Sequence, residues 1–206
     1  MPKVKLTKGE LKRTRDALRQ YQRYLPTLQL KKQQLQMEIL QQLHLLEEKE
    51  HKEAAKKSAI GAWAGLLADP GVALSGWISI REVIISAKNI AGVDLPIFER
   101  IDFAAADYDL FSTPLWVDAA LELLKELICM RREIALIQQG IKILREELRI
   151  TTQRVNLFEK VKIPQALEAI RLIKIYLGDQ MTNAVGRSKI AKRKISEATT
   201  YEAIAI

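Results

Sequence analysis

TPLWVDAALELLKELICMRREIALIQQGIKILREELRITTQRVNLFEKVK, residues 113–162, is the stretch whose reading decides the fold. Its apolar residues keep a three-four rhythm at Ala120, Leu123, Leu127, Met130, Ile134, Ile137, Ile141, Leu144, Leu148, Thr151, Val155, Phe158 and Lys162, where only Thr151 and Lys162 are polar. That rhythm is the coiled-coil pattern, and an apolar seam of this length has to be covered by a second helix. The N-terminal part of the chain supplies one through Leu11, Thr14, Leu18, Tyr21, Leu25, Leu28, Lys32, Leu35, Ile39, Gln42 and Leu46. The expected fold is mainly α: a long antiparallel two-helix coiled coil, with a small cap of β-hairpin and short helix gathered between the helices at one end.

Working outward, three segments follow: an N-terminal coiled-coil helix over 1–67, a central β-hairpin cap over 68–112, and a C-terminal coiled-coil helix with its tip over 113–206. Thr7-Lys8-Gly9-Glu10 has the spacing of a capping box and marks the first helix start. Pro26 predicts a bend there, because proline removes one backbone donor and crowds the preceding turn, while the apolar rhythm resumes in register beyond it. In the middle, Trp77 to Ser86 and Glu99 to Phe103 read as strands, with Ala91 to Pro96 between them. Thr113-Pro114 reads as a helix cap followed by a first-turn proline. That helix is expected to bend at Ile163-Pro164 and to resume with Ala166, Ile170, Ile173 and Leu177 on one face. A last amphipathic piece ends near Lys194, Ser196 to Ile206 reads as frayed, and the C-terminal tip is expected to outreach its partner helix. Pairing residues whose numbers add to about 190 would put Pro26 and Pro164 at one level, within about two helical turns of each other.

The net charge of +8 is uneven. Up to Lys32, ten basic residues face two acids; from Ile60 to Glu126, four face ten; after Val185, five face two. An antiparallel hairpin brings both termini to one end, which makes that end basic, with Lys8, Lys12, Arg13, Arg187, Lys189, Lys192 and Arg193, and leaves the turn end acidic. Such a tip suits phosphates of a nucleic acid or an anionic membrane, or else an acidic protein collar around it.

Several classes of function are disfavoured. The lone Cys129 allows no internal disulfide and fits a reducing compartment. Met1 to Lys8 has no apolar run of a secretory signal. Ser58 to Ile80 is largely apolar, but Asp69-Pro70-Gly71 at its middle argues against a membrane span. Gly186-Arg187-Ser188-Lys189 lacks the phosphate-loop spacing. His44, Glu48 and His51 fall on one helical face without zinc-protease spacing, and a solvated face is the simpler account. No catalytic, cofactor-binding or metal residue is expected, and the chain reads as a mechanical or interaction protein.

Arg154-Val155-Asn156-Leu157-Phe158-Glu159-Lys160-Val161-Lys162-Ile163-Pro164, followed by Ile173 to Leu177 and the basic run at Arg187, resembles the D subunit of the V-type rotary ATPases. Asn89 to Val93 with Pro96 resembles that family's central hairpin, and Leu6 to Leu11 its N-terminal start. Tyr24 to Lys32 departs from the leucine-lysine-arginine block of many members and looks like the bacterial branch. The resemblance implies a non-catalytic central rotor stalk in the cytoplasm, peripheral to the membrane. Its termini would enter the ring of catalytic A and B subunits, and the F subunit would bind its side. The hairpin end, with Ile90, Gly92, Val93 and Pro96, would face the membrane-proximal coupling subunit. On this reading the seam residues Leu18, Leu28, Leu35, Ile134, Ile137, Ile141, Leu144 and Leu148 stiffen the shaft, and neither nucleic acid nor direct membrane insertion is involved. The alternative is a coiled-coil adaptor whose basic end binds nucleic acid or anionic membrane.

Overall fold

The computed structural model describes residues 5–61, 65, 74–105, 108–109 and 113–204. Its elements in order are α1 (Lys8–Gly61), α2 (Leu74–Trp77), β1 (Ile80–Ile90), β2 (Val93–Phe103), α3 (Trp116–Leu157), a π-helical turn (Phe158–Lys162) and α4 (Ile163–Ile204). The fold is mainly helical, with a two-stranded antiparallel hairpin between the long helices in sequence. Trp63, the end of the first helix near Leu67 and the Asp69-Pro70-Gly71 break lie outside the described residues. By contact density the chain divides into two units, Leu30–Thr152 and Met1–Gln29 with Gln153–Ile206.

In the unit Leu30–Thr152, the expected seam is what the fold buries. Leu35, Ile39, Ile134, Ile141 and Leu144 are buried, while Leu123, Leu127, Met130, Ile137 and Leu148 are half-buried. Antiparallel pairing is fixed by ion pairs across α1 and α3: Lys31–Glu147 at 2.6 Å, Lys49–Glu133 at 2.7 Å and Lys56–Glu126 at 2.5 Å. Their residue numbers add to 178, 182 and 182, about ten fewer than the expected 190.

The hairpin differs from its sequence reading at both ends. Trp77 closes α2, so β1 begins only at Ile80, and the turn is just Ala91-Gly92, with β2 running from Val93 through Pro96. Ala91 and Gly92 have φ of 52° and 77°, the two positive angles that a type I′ turn requires. The Asn89 side chain secures that turn by accepting the Gly92 N–H at 3.1 Å and donating to Asp94 at 2.6 Å. Pro96 is tolerated within the strand because it pairs with Ala87 at a position whose N–H points away from the neighbouring strand.

The hairpin does not gather at the end of the helices. Its tip reaches back along them, so that Val93 and Leu95 join Leu35, Ile39 and Leu144 in one buried cluster. The reason is chemical: these two β2 side chains are apolar, and the seam flank is the nearest dry surface. Gly140 lies against Leu95, and a Cβ there would stand 3.9 Å from Leu95 Cδ2, an ordinary van der Waals distance, so the approach does not depend on the glycine. Further along, the Lys125 ammonium sits 5.8 Å from the centroid of Phe103, at the other end of β2.

In the unit formed by 1–29 and 153–206, the Thr7 hydroxyl accepts the Glu10 N–H at 3.2 Å and starts α1 as the capping spacing predicts. Pro26 is accommodated inside α1 without ending it. The Tyr21 and Phe158 rings stand 5.3 Å apart and set the local register. With that register Pro26 faces residues near Gln153 and Pro164 faces residues near Arg15, some 16 Å apart along the axis. The two prolines are therefore not level.

At Phe158–Lys162 the helix takes one π turn, closed by the Ile163 N–H donating to the Phe158 carbonyl, five residues back. Up to Phe158 the buried face follows the heptads, yet Lys162, the next position in that count, is exposed. Ile163 takes its place, half-buried, and Ala166, Ile170 and Ile173 follow as buried residues. The seam thus steps five residues instead of four, and the π turn absorbs the extra one without rotating the buried face. The same turn widens the helix ahead of Pro164, whose ring has no N–H to give and would crowd the carbonyl of the preceding turn. What the sequence shows as a bend is a phase correction.

Candidate functional site

Among the described residues, no cleft brings reactive groups together. His44, Glu48 and His51 do share an outward face of α1, but the Glu48 carboxylate is taken by Lys52 at 2.5 Å. The hydrogen bond from that ammonium holds the Glu48 carboxyl below its ordinary range. Nor are any three described His, Cys, Asp or Glu side chains placed to share a metal ion, and no described helix is long and apolar enough to cross a membrane. Cys129 is a half-buried residue of α3 whose thiol pKa is raised, first by burial and then by Glu126. Tyr108 donates its hydroxyl to Asp118 and packs on Trp77 at 5.0 Å, which ties α2 to the start of α3.

Three features of the described residues stand out: a covered seam, an exposed stretch of helix and the hairpin. The first is the seam. Leu35 and Leu144 are fully buried, and Ile134 and Ile141 nearly so. Ile137, Leu148, Leu18 and Leu28 are half-buried flanks. The ion pairs across α1 and α3 are partly exposed, so each adds little energy, but together they select one register among the many that an apolar stripe permits.

The second is the C-terminal half of α4, where every residue from Gly178 to Glu197 is exposed. Arg187, Lys189, Lys192 and Arg193 stand here, beside Met181, Val185, Ile190 and Ile195, each more than half exposed. Arg193 pairs with Glu197 at 3.0 Å along the helix. Lys8, Lys12 and Arg13 are exposed on the first turns of α1. A bare face mixing basic and large apolar groups is suited to being covered.

The third is the hairpin. Of the four residues expected at its end, Val93 is core, Ile90 and Pro96 are half-buried, and only Gly92 is fully at the surface. Between hairpin and helices lies a cleft of about 230 Å³ lined by Leu45, Leu95, Pro96, Phe98, Leu136 and Ile137. Sequence reasoning missed this contribution of the hairpin to packing. The available signal is the alternation Val93, Leu95 within Ala91 to Pro96, the segment between the two expected strands.

The chain is similar to proteins of one family over nearly its whole length. A family model described as the D subunit of ATP synthase matches residues 10–193. The D subunit of a V-type ATP synthase from Borreliella burgdorferi is 46% identical over 195 residues, covering 95% of this chain and 96% of its own. Proteins of the same description from Chlamydia pneumoniae and Chlamydia trachomatis are 36% and 34% identical, over 93% and 94% of this chain and 93% and 97% of theirs. With matches of that extent to helices, hairpin and tip alike, this chain belongs to the D-subunit family of the V-type ATP synthases.

Proposed function

We propose that the chain is the central rotor stalk of such a complex. It transmits torque between ATP turnover in a ring of catalytic A and B subunits and ion translocation by a membrane rotor ring, and it performs no chemistry itself. The basic turns of α1 and the exposed half of α4 enter the bore of the catalytic ring, the F subunit binds the side of the coil, and the end between α1 and α3 meets the membrane-proximal coupling subunit. The stalk works at the cytoplasmic face of the membrane as a peripheral component.

The observation that carries this reading is the covered seam held in one register. Twisting one helix past the other would expose Leu35, Ile39, Ile141 and Leu144 to water, at ~25 cal/mol per Å² of apolar surface. A paired helix of this kind resists torsion, which is what a shaft needs. The bare tip supports the reading in a second way, since its apolar and basic side chains together match an acidic protein bore better than a nucleic acid.

Ile141→Asn in the intact complex is the test. Hydrolysis is expected to continue while ion transport per ATP falls; an assembled variant with an unchanged ratio refutes the reading. Reversing Arg187, Lys189 and Lys192 to Glu is expected to slow rotation or impair assembly. A nucleic-acid adaptor would instead show affinity for nucleic acid that falls steeply and linearly in log salt.

A further inference from the structure

The two open edges of the hairpin are not alike. In a two-residue type I′ hairpin the pair next to the turn, Ile90 and Val93, is hydrogen-bonded, so the pairs alternate from there. Asn89↔Asp94, Ala87↔Pro96 and Ile85↔Phe98 are therefore the pairs whose backbone groups point outward. On the β2 edge the middle of these three is a proline, with no N–H to offer, so that edge is blocked in the way natural edge strands are. On the β1 edge the three residues are Ile85, Ala87 and Asn89, all exposed, with three N–H and three C=O groups in line and no proline.

The open edge carries two cations, Arg81 and Lys88, and one anion, Glu82, all three exposed. Among the described residues neither cation has an ion-pair partner. Ile85, 48% exposed, sets a large apolar side chain at one end of the three outward-facing positions. We infer that the β1 edge from Ile85 to Asn89 receives an extended strand from another subunit of the complex. That strand is apolar where it meets Ile85 and acidic where it passes Arg81 and Lys88, so that the hairpin becomes a three-stranded sheet shared between two chains.

The inference relies on the stalk reading only for the existence of a multi-subunit complex, and the two can fail separately. Residue-resolved amide exchange is compared between the chain alone and the purified complex. The Ile85, Ala87 and Asn89 amides are expected to exchange freely in the first and at least ~10-fold more slowly in the second. Ala87→Pro places on β1 the same block that Pro96 places on β2. Because the Ala87 N–H points outward, the Ser86 and Lys88 amides should stay protected while retention of the chain in the complex falls up to ~10-fold. Lys88→Pro, at a ladder position, should instead open the hairpin.

Unchanged exchange of the three amides in a complex that assembles and couples normally overturns the edge inference and leaves the stalk reading standing. Wild-type retention of Ala87→Pro with an intact hairpin overturns it as well. So does protection that appears in the chain alone and grows with its concentration, which would assign the edge to a second copy. A chain that co-purifies with no ATPase component overturns both readings.

Discussion

The helix from Ala120 to Val155 and the helix from Gly178 to Glu197 are both helical throughout and both carry apolar residues at three- to four-residue spacing, yet the first is covered and the second is bare. The difference teaches that apolar periodicity states a need for a partner, and that a chain can meet that need itself or leave it to another subunit. It follows that truncation should be felt very differently in the two. Leu144→Ala removes a fully buried side chain from the cluster with Leu35, Ile39, Val93 and Leu95, and should lower the stability of the isolated chain by about 2–5 kcal/mol in denaturant titrations. Ile190→Ala in the same assay should stay within about 0.5 kcal/mol of wild type. An equal loss at both positions would mean that the tip is covered in the chain alone and would remove the contrast.

The seam contains one residue that breaks its own rule. Thr151 is 1% exposed and its hydroxyl has no hydrogen-bond partner, so burial removes it from water without replacement. Such a group costs about 1–3 kcal/mol. Thr151→Val keeps the shape and removes the orphan, and should raise stability by about 1 kcal/mol or somewhat more, read as a shift of the denaturation midpoint at constant slope. A loss of stability on this substitution would show that the hydroxyl is satisfied after all. A gain in stability accompanied by poorer coupling in the complex would show that the covered helix keeps a polar position for its function.

How the seam crosses Phe158–Lys162 has two candidate causes, the proline and the phase, and magnitudes separate them. Returning this turn to α-helix would rotate everything beyond it by about 100° and lift Ala166, Ile170 and Ile173 off their buried face. Two isoleucines alone are worth roughly 3–6 kcal/mol of burial, against about 3 kcal/mol for a proline in a helix interior. Phase therefore dominates. Pro164→Ala is expected to change stability by less than about 1 kcal/mol and to leave the π turn in place, with Ile170 and Ile173 amides still protected from exchange. Loss of protection at those two residues would make the proline the cause.

A feature was legible in the sequence wherever single side chains report it. The seam through Phe158 was readable because each position is reported by its own side chain. The phase step was half readable: keeping strict heptads forced a lysine into the seam at position 162 while Ile163 stood beside it. The helix register was not readable, because an apolar stripe repeats along itself and many offsets set leucine against leucine. Lys31, Lys49 and Lys56 break that degeneracy only once their partners Glu147, Glu133 and Glu126 are seen. The strand boundaries failed at Trp77 and at Val93 to Pro96, where turn-forming composition outweighed the alternation of Val93 and Leu95. The basic tip was plain from composition, whereas the open β1 edge depends on knowing which residue faces Pro96.

The smallest expected effect concerns acid. Glu146 and Glu168 lie on outer helix faces, one in each unit, and a hydrogen bond from the guanidinium three residues on holds each carboxyl below a free glutamate's value near 4.5. A carboxyl whose folded pKa is lowered binds its proton less readily in the folded chain than in the unfolded one. Its stabilising contribution is therefore complete above about pH 4.5 and is lost as the pH falls through the folded value. Both pairs are open to solvent, so the loss should be shallow and should fade further in high salt. Melting temperatures should be flat from pH 7 to pH 5 and decline below that, and Glu146→Gln with Glu168→Gln should flatten the decline without moving the plateau by much. A steep fall already between pH 7 and pH 5 would point away from these carboxylates altogether, since nothing about a lowered glutamate pKa produces a transition there.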